Sequence, residues 1–312
     1  MIKIVFMGTP DFAVPSLRML IDEGYDVVAV VTRKDTAKGR GMKVQYSPVK
    51  QFALSKGIPV FQPDSAKSNE FVEKIREIKP DLMVTAAYGR ILPKEILDIP
   101  TLGCINVHAS LLPEYRGAAP IHKAIIDGKS KTGITTMMTD VGMDTGDILI
   151  KNEVEIPRDM ITGELHDLLA ELGVETLKET VFLLMQGKLV RVPQDDNLAS
   201  YAPQITRETG CIDWNDSAEN IYNRIRGTNP WPGSYTTYCG GRMKIWKAEL
   251  GEQVEGACGE IIEVGDQIVV ATRDGSIRIL EVQFDNGKRM SVKNYLMGHS
   301  VETGKILGDT IG

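Results

Sequence analysis

The 312-residue sequence predicts an α/β protein in two parts: a Rossmann-like, mostly parallel sheet with helices on both faces, then a small OB-like β-barrel. Three observations carry that prediction. The first half alternates short apolar runs with segments of helical periodicity, the rhythm of repeated βα units. Its opening strand is almost continuously apolar, as strands covered on both faces are. Beyond residue 208 the pattern changes to short strands separated by turn signals such as Asp274-Gly275. The expected boundaries are a first domain over residues 1–188, a linker of proline and polar residues over 189–208, and the barrel domain over 209–312.

Taken in order, residues 2–7 form the first strand, and Gly8-Thr9-Pro10-Asp11 turns it into a helix. Val14, Leu17, Leu20 and Ile21 keep helical spacing in that helix as far as Gly24, and residues 25–32 form the second strand. Gly8-Thr9-Pro10-Asp11-Phe12-Ala13 supplies one glycine where a dinucleotide fingerprint needs three, so the scaffold is expected without a nucleotide. Residues 33–43 carry Arg33, Lys34, Lys38, Arg40 and Lys43 against a single acid, Asp35. An unstructured basic loop leaving the C-terminal end of a strand reads either as solvated surface or as a contact for a phosphate backbone.

Helices follow over 47–56, 69–78 and 118–127, with strands over 59–61, 81–87 and 133–139 and a further strand ending at His108. The short link 140–147 makes the next strand, 148–156, antiparallel. A long helix over 162–187 shows an apolar stripe of Leu165, Leu168, Leu169, Leu172, Leu177, Val181 and Leu184. The second part has one helix, 218–226, and strands over 234–239, 243–248, 259–264, 267–272 and 276–284.

Composition narrows the classes. No apolar run is long enough to span a bilayer, and a strand beginning at Ile2 leaves no room for a signal peptide, so a cytoplasmic location is expected. The four cysteines are far apart and the four histidines lack ligand spacing, which predicts neither a disulfide framework nor a metal site. A net charge of −6 does not advertise a nucleic-acid partner.

One stretch organises the chain. In the strand ending at His108, Asn106 and His108 occupy alternate positions and so share a face. They are either satisfied core hydrogen bonders or groups presented at the C-terminal sheet edge, where open α/β folds place ligands. Asp144 follows the next strand on its loop. A right-handed crossover between the two strands would bring both C-terminal ends to one edge and Asp144 to His108. A carboxylate beside an imidazole fixes its tautomer and lets it carry a proton near neutral pH. Asn106 adds an uncharged donor for a developing oxyanion, worth roughly 3–4 kcal/mol. No covalent nucleophile stands out: Ser110 lacks an independent base, and Cys104 is expected to point away from Asn106 and His108. The set suits acyl transfer to an amine through a tetrahedral intermediate.

These three residues, with Ser110-Leu111-Leu112-Pro113-Glu114-Tyr115-Arg116-Gly117 and Met143-Asp144-Thr145-Gly146-Asp147, resemble the formyltransferases that use 10-formyltetrahydrofolate. Gly8-Thr9-Pro10-Asp11-Phe12-Ala13, Gly39-Arg40-Gly41, Ala87-Tyr88-Gly89-Arg90-Ile91-Leu92-Pro93, Ile212-Asp213-Trp214 and Ile225-Arg226-Gly227-Thr228-Asn229-Pro230-Trp231-Pro232-Gly233 are similar to the members of that family that act on tRNA. The resemblance implies that Asn106 and His108 polarise the formyl carbonyl and hold the oxyanion. It gives Asp144 the positioning of His108 and a part in moving the amine's proton to N10 of the folate. It places Ser110, Leu111, Leu112 and Pro113 in the wall of the folate pocket, with main-chain atoms near Tyr88 and Leu92 receiving the pterin. Arg33, Lys34, Lys38, Arg40 and Lys43 would enter the acceptor stem of initiator methionyl-tRNA, and the barrel would hold the rest of that arm. The folate is a donor substrate, no metal is implied, and a monomer is expected. Because residues 210–312 carry slightly more acid than base, positive charge there must be patterned, with Arg224, Arg226, Arg242, Lys244 and Lys247 on one face. Two other functions remain open: formyl transfer to an amino sugar nucleotide or other small amine, and nucleotide binding on the same scaffold.

Overall fold

A computed structural model describes residues 2–38 and 43–308. The chain divides into two units. The first takes Met1–Pro120, Thr132–Val154 and His166–Ala202, and the second Ile121–Lys131, Glu155–Leu165 and Pro203–Gly312.

In the first unit β1 (Lys3–Gly8) leads through a single 3-10 turn into α1 (Val14–Asp22) and back to β2 (Asp26–Val31). Next come β3 (Thr36–Lys38) and β4 (Lys43–Gln45), paired antiparallel. The segment expected to be an unstructured loop is therefore a hairpin stem, and Arg40 lies outside the described residues. α2 (Pro48–Ser55) starts where Ser47 Oγ accepts the Lys50 N–H and proline fills the first helical position. β5 (Val60–Phe61), α3 (Asn69–Ile78, capped by Ser68), β6 (Leu82–Ala86), α4 (Lys94–Leu97) and β7 (Cys104–His108) continue the βα rhythm. The chain goes on through β8 (Arg116–Gly117), then α5 (Pro120–Ile126), which falls in the second unit, and β9 (Lys131–Met138), β10 (Ile148–Glu155), α6 (Thr162–Met185) and β11 (Tyr201–Ala202).

The large sheet has the order β10-β9-β7-β6-β1-β2-β5. Its five strands from β7 to β5 run parallel. β9 does not: it lies antiparallel to β7, with His108 opposite Thr135 and Ile105 opposite Met138. The right-handed crossover expected between them is absent, because the handedness rule constrains only strands that return parallel. β10 then closes a hairpin on β9, the Met138 N–H meeting the Asp147 carbonyl at 2.9 Å.

Apolar side chains cover both sheet faces. Val5, Met7, Met83 and Cys104 pack with Phe71, Val72 and Ile75 of α3 and Ile96 of α4. On the opposite face α6 brings Gly173 so near Val107 that a β-carbon would stand 3.3 Å from it. Buried threonines continue that seam, Thr136 and Thr180 sharing a hydrogen bond of 2.7 Å.

The second unit contains α7 (Ala218–Gly227), β12 (Ser234–Tyr238), β13 (Gly241–Gly251), β14 (Ile261–Val264), β15 (Ile268–Ala271), β16 (Ser276–Phe284), β17 (Met290–Ser291) and α8 (Val292–Leu296). Its strands are antiparallel in the order β12-β13-β16-β15-β14, with β17 on β16. This small, barrel-like unit wraps a core of Trp214, Ile221, Ile225, Ile245, Ile268 and Ile277. Ile277→Ala removes three buried carbons from the centre of that core and is expected to cost about 2–5 kcal/mol, read as a lower urea midpoint at unchanged slope.

Candidate active site

Strand period two puts Cys104, Asn106 and His108 on one face of β7. The expectation that Cys104 points away is thus overturned. What keeps it from the chemistry is burial at the other end of the strand: Cys104 is 1% exposed, and desolvation pushes its thiol up to about 12.

Asn106 is oriented from behind. Thr85, beside it on β6, gives its hydroxyl to Asn106 Oδ1 at 2.8 Å, which turns Nδ2 toward Asp144 Oδ1 at 3.5 Å. His108 is 6% exposed, and its Nε2 lies 3.0 Å from the Tyr115 carbonyl. A carbonyl only accepts, so Nε2 carries a proton and Nδ1 faces Asp144 Oδ2 at 3.7 Å. The same Oδ2 accepts the Gly117 N–H at 2.8 Å. Asp144 has φ +55°, a left-handed conformation that aspartate tolerates better than most side chains. Two residues on, Gly146 passes so close to its own hairpin that a β-carbon would collide with the Met138 carbonyl. Sequence reasoning expected Asp144 to arrive from a parallel strand end. It comes instead from the β9–β10 hairpin, whose connecting residues bring it against Asn106 and His108.

The segment Ser110–Pro113 is tied down by its own polar groups. Ser110 Oγ donates to the Glu114 carbonyl at 2.6 Å, and the Ser110 carbonyl accepts from Thr135 Oγ1 at 2.7 Å. Thr135 Oγ1 in turn accepts the Leu112 N–H at 3.1 Å. Leu112 is buried with Met137 and Ile148, Leu111 is half-buried, and the Pro113 carbonyl accepts the Ser200 N–H. Tyr88 and Leu92 are buried in the core beneath α3 and α4, and burial raises the Tyr88 phenol above its usual value. A cavity of about 530 Å³ opens at the start of β7, lined by Leu97, Gly103, Cys104, Met138, Thr139 and Val141, and not by Ser110–Pro113, Tyr88 or Leu92. It shares β7 with Asn106 and the hairpin connection with Asp144.

Of the basic residues, Arg33 is exposed near Gly89, and Lys34 pairs with Asp64. Lys38 and Lys43 stand opposite one another in the β3–β4 register. At the base of that hairpin the Lys50 ammonium, hydrogen-bonded to Asp35, holds the Asp35 carboxyl below the usual range. In the second unit Arg242 lies over the Tyr235 ring, while Lys244 and Arg289 approach the Trp246 ring. Arg226 does not share that face: it is buried, donating to Asn223 and to the Met160 carbonyl. Sequence reasoning missed Thr85 and Gln194, and gave no role to Tyr115 and Gly117 within the Ser110–Gly117 motif. Gln194 Nε2 donates to the carbonyls of Asp144 and Gly146 at 2.8 and 2.7 Å.

This geometry defines a class. Residues 2–181 match the formyl transferase family model and residues 204–300 the model of the formyl transferase C-terminal domain, and the chain belongs to that family. Within it the chain goes with the methionyl-tRNA formyltransferases: that of Ruminiclostridium cellulolyticum is 58% identical over 310 residues, covering 98% of this chain and 99% of that protein. The fold is shared with an N-formyltransferase from Helicobacter canadensis, crystallised in complex with folinic acid and dTDP-3-aminofucose, at a TM-score of 0.70 and 21% identity over 89% of this chain and 99% of that one. HypX from Aquifex aeolicus also shares it, at a TM-score of 0.64 and 16% identity. There 95% of this chain is covered and 47% of HypX, so the chain spans about half that protein's length.

Because its thiol is raised to about 12, Cys104 is expected to stay unmodified by iodoacetamide at pH 8 in the native protein, while exposed Cys211 and Cys239 are alkylated. Peptide mass spectrometry with and without urea reads the difference.

Proposed function

We propose that the chain transfers the formyl group of 10-formyltetrahydrofolate to the α-amino group of methionyl initiator tRNA, supporting initiation of translation. The observation that carries this reading is the junction of Asn106 Nδ2, His108 Nδ1 and the Asp144 carboxylate, 3.5 and 3.7 Å apart, in a chain so close to methionyl-tRNA formyltransferases over its length. Asn106 donates to the formyl oxygen as the attacking amine converts the carbonyl to a tetrahedral oxyanion. His108 takes the proton that the amine loses, and the N10 nitrogen gains one as its bond to the formyl carbon breaks. Asp144 faces the ring edge and offsets its charge while His108 holds that proton.

In this reading Ser110, Leu111, Leu112 and Pro113 form the wall of the folate pocket, and main-chain atoms near Tyr88 and Leu92 receive the pterin. Arg33, Lys34, Lys38, Arg40 and Lys43 contact the acceptor stem; for Arg40 the support is the sequence resemblance. Residues 1–188 then perform the chemistry, and the barrel over 209–312 holds the tRNA arm, with Arg242 and Lys244 on one strand face. The protein acts as a monomer in the cytoplasm. Among the described residues no helix is long and apolar enough to cross a membrane.

The test is formylation of methionyl-tRNA with 10-formyltetrahydrofolate. His108→Ala and Asp144→Asn are expected to lower kcat by about 10²–10⁴-fold in folded protein. Arg40→Ala is expected to raise the KM for tRNA and leave that for the folate unchanged. Release of tetrahydrofolate with an amino sugar nucleotide, and none with methionyl-tRNA, would overturn the choice of acceptor.

A further inference from the structure

The two family models stop at residue 181 and resume at residue 204. The stretch between them nonetheless holds both members of the reacting pair. Gln194 receives Arg116 Nε and Nη2 on its Oε1, at 3.1 and 2.8 Å, and gives its Nε2 to the carbonyls of Asp144 and Gly146. Guanidinium only donates and a carbonyl only accepts, so this amide has one permitted orientation. Arg116 is 2% exposed, and its charge is met at the surface by Asp196 at 2.8 Å. It is therefore a buried post on which Gln194 is fixed.

Six residues further on, Ser200 performs the matching task for His108. Its Oγ accepts the Tyr115 N–H at 2.9 Å, and its carbonyl accepts the Arg116 N–H at 2.8 Å. Tyr115 has φ +59°, an unfavourable conformation for a bulky side chain, and it presents the carbonyl that binds His108 Nε2. β11 then pairs with β8. That pairing is tight enough that a β-carbon on Gly117, at φ +115°, would meet the Ala202 carbonyl at 2.7 Å. Gly117 is the residue whose N–H binds Asp144 Oδ2.

We infer that residues 194–202 form a strap that positions the reacting pair: Gln194 acts through Asp144, and Ser200 acts through Tyr115 on His108. Neither touches substrate in this reading, so both are positioning residues. The turnover readout rests on the proposed formyl transfer, whereas the strap's grip on His108 does not.

The experiment uses the full-length chain with Gln194→Leu, Ser200→Ala, Ser200→Thr and, on the exposed part of the same strap, Leu198→Ser as a control. Gln194→Leu and Ser200→Ala are expected to lower kcat for formylation of methionyl-tRNA about 100-fold, the scale of a small misplacement of reacting groups. KM for both substrates stays within about twofold, because no ground-state contact is removed. Ser200→Thr, which keeps the hydroxyl, retains turnover, as does Leu198→Ser. Independently, nitrogen NMR of the His108 ring is expected to show a protonated, slowly exchanging Nε2 in the parent and in Ser200→Thr, and loss of that signal in Ser200→Ala. Full kcat in Gln194→Leu and Ser200→Ala would overturn the inference, as would losses confined to KM or an unchanged Nε2 signal in Ser200→Ala. If the parent chain formylates no tRNA, the functional reading fails, and the ring signal still decides the strap.

Discussion

The site depends on holding one carboxylate against the end of a buried strand. Asp144 is mostly shielded from water, and a shielded carboxylate is costly unless donors meet it. Two come from separate places in the chain, the Gly117 main chain and the Asn106 amide, and the His108 ring edge stands 3.7 Å away, a third donor once Nδ1 takes a proton. Each of these three groups is in turn fixed by something else. Gly117 is fixed by the β8–β11 pairing, Asn106 by Thr85, and His108 by the Tyr115 carbonyl. Without the carboxylate those supports would have nothing to converge on.

The direction of β9 explains how a residue 36 positions beyond His108 arrives there. Five parallel strands end on one edge, the place where such sheets present their ligand-binding loops. An antiparallel β9 meets His108 at Thr135 and runs the other way, so its end at Met138 lies opposite Ile105. The hairpin connection to β10 is short and turns back at Gly146, which places Asp144 beside the middle of β7. A parallel β9 would have offered a loop at the edge alone. The antiparallel one gives a loop that is bonded to its own strand and to Gln194, and is correspondingly better fixed.

Asn106, His108 and Asp144 could be read from the sequence because polar groups on one face of an apolar strand are expensive and therefore conspicuous. The βα order was readable for a similar reason, since periodicity records which faces are buried. Strand direction leaves no such trace: Gly133 to Thr139 would read alike in a parallel or antiparallel β9. Nor does tertiary polar contact. Gln194 and Ser200 sit among proline, aspartate and asparagine, where local composition says loop, and only their bonds to Asp144 and Tyr115 say otherwise. The β3–β4 stem was hidden by brevity, as three residues a side cannot display alternation. Arg226 was expected on a basic face because charge suggests exposure, yet its helix turns it inward to Asn223 and the Met160 carbonyl. Cys104 was misplaced for a different reason. Even spacing from Asn106 already put it on the same face, and distance along the strand was what mattered.

The bond lengths separate two layers of the site. Behind the reacting groups the contacts are short: Thr85 to Asn106 at 2.8 Å, Gly117 to Asp144 at 2.8 Å, Gln194 to the Asp144 carbonyl at 2.8 Å. Between the reacting groups they are long, at 3.5 and 3.7 Å, where a good hydrogen bond is nearer 2.9 Å. A site built for stability would invert that order, because a buried amide, imidazole and carboxylate gain most by closing on each other. Here each is bound tightly to the framework and only weakly to its neighbours. Catalysis requires that division: positions fixed in advance, with the donors and acceptors that must serve the transition state not already committed to one another.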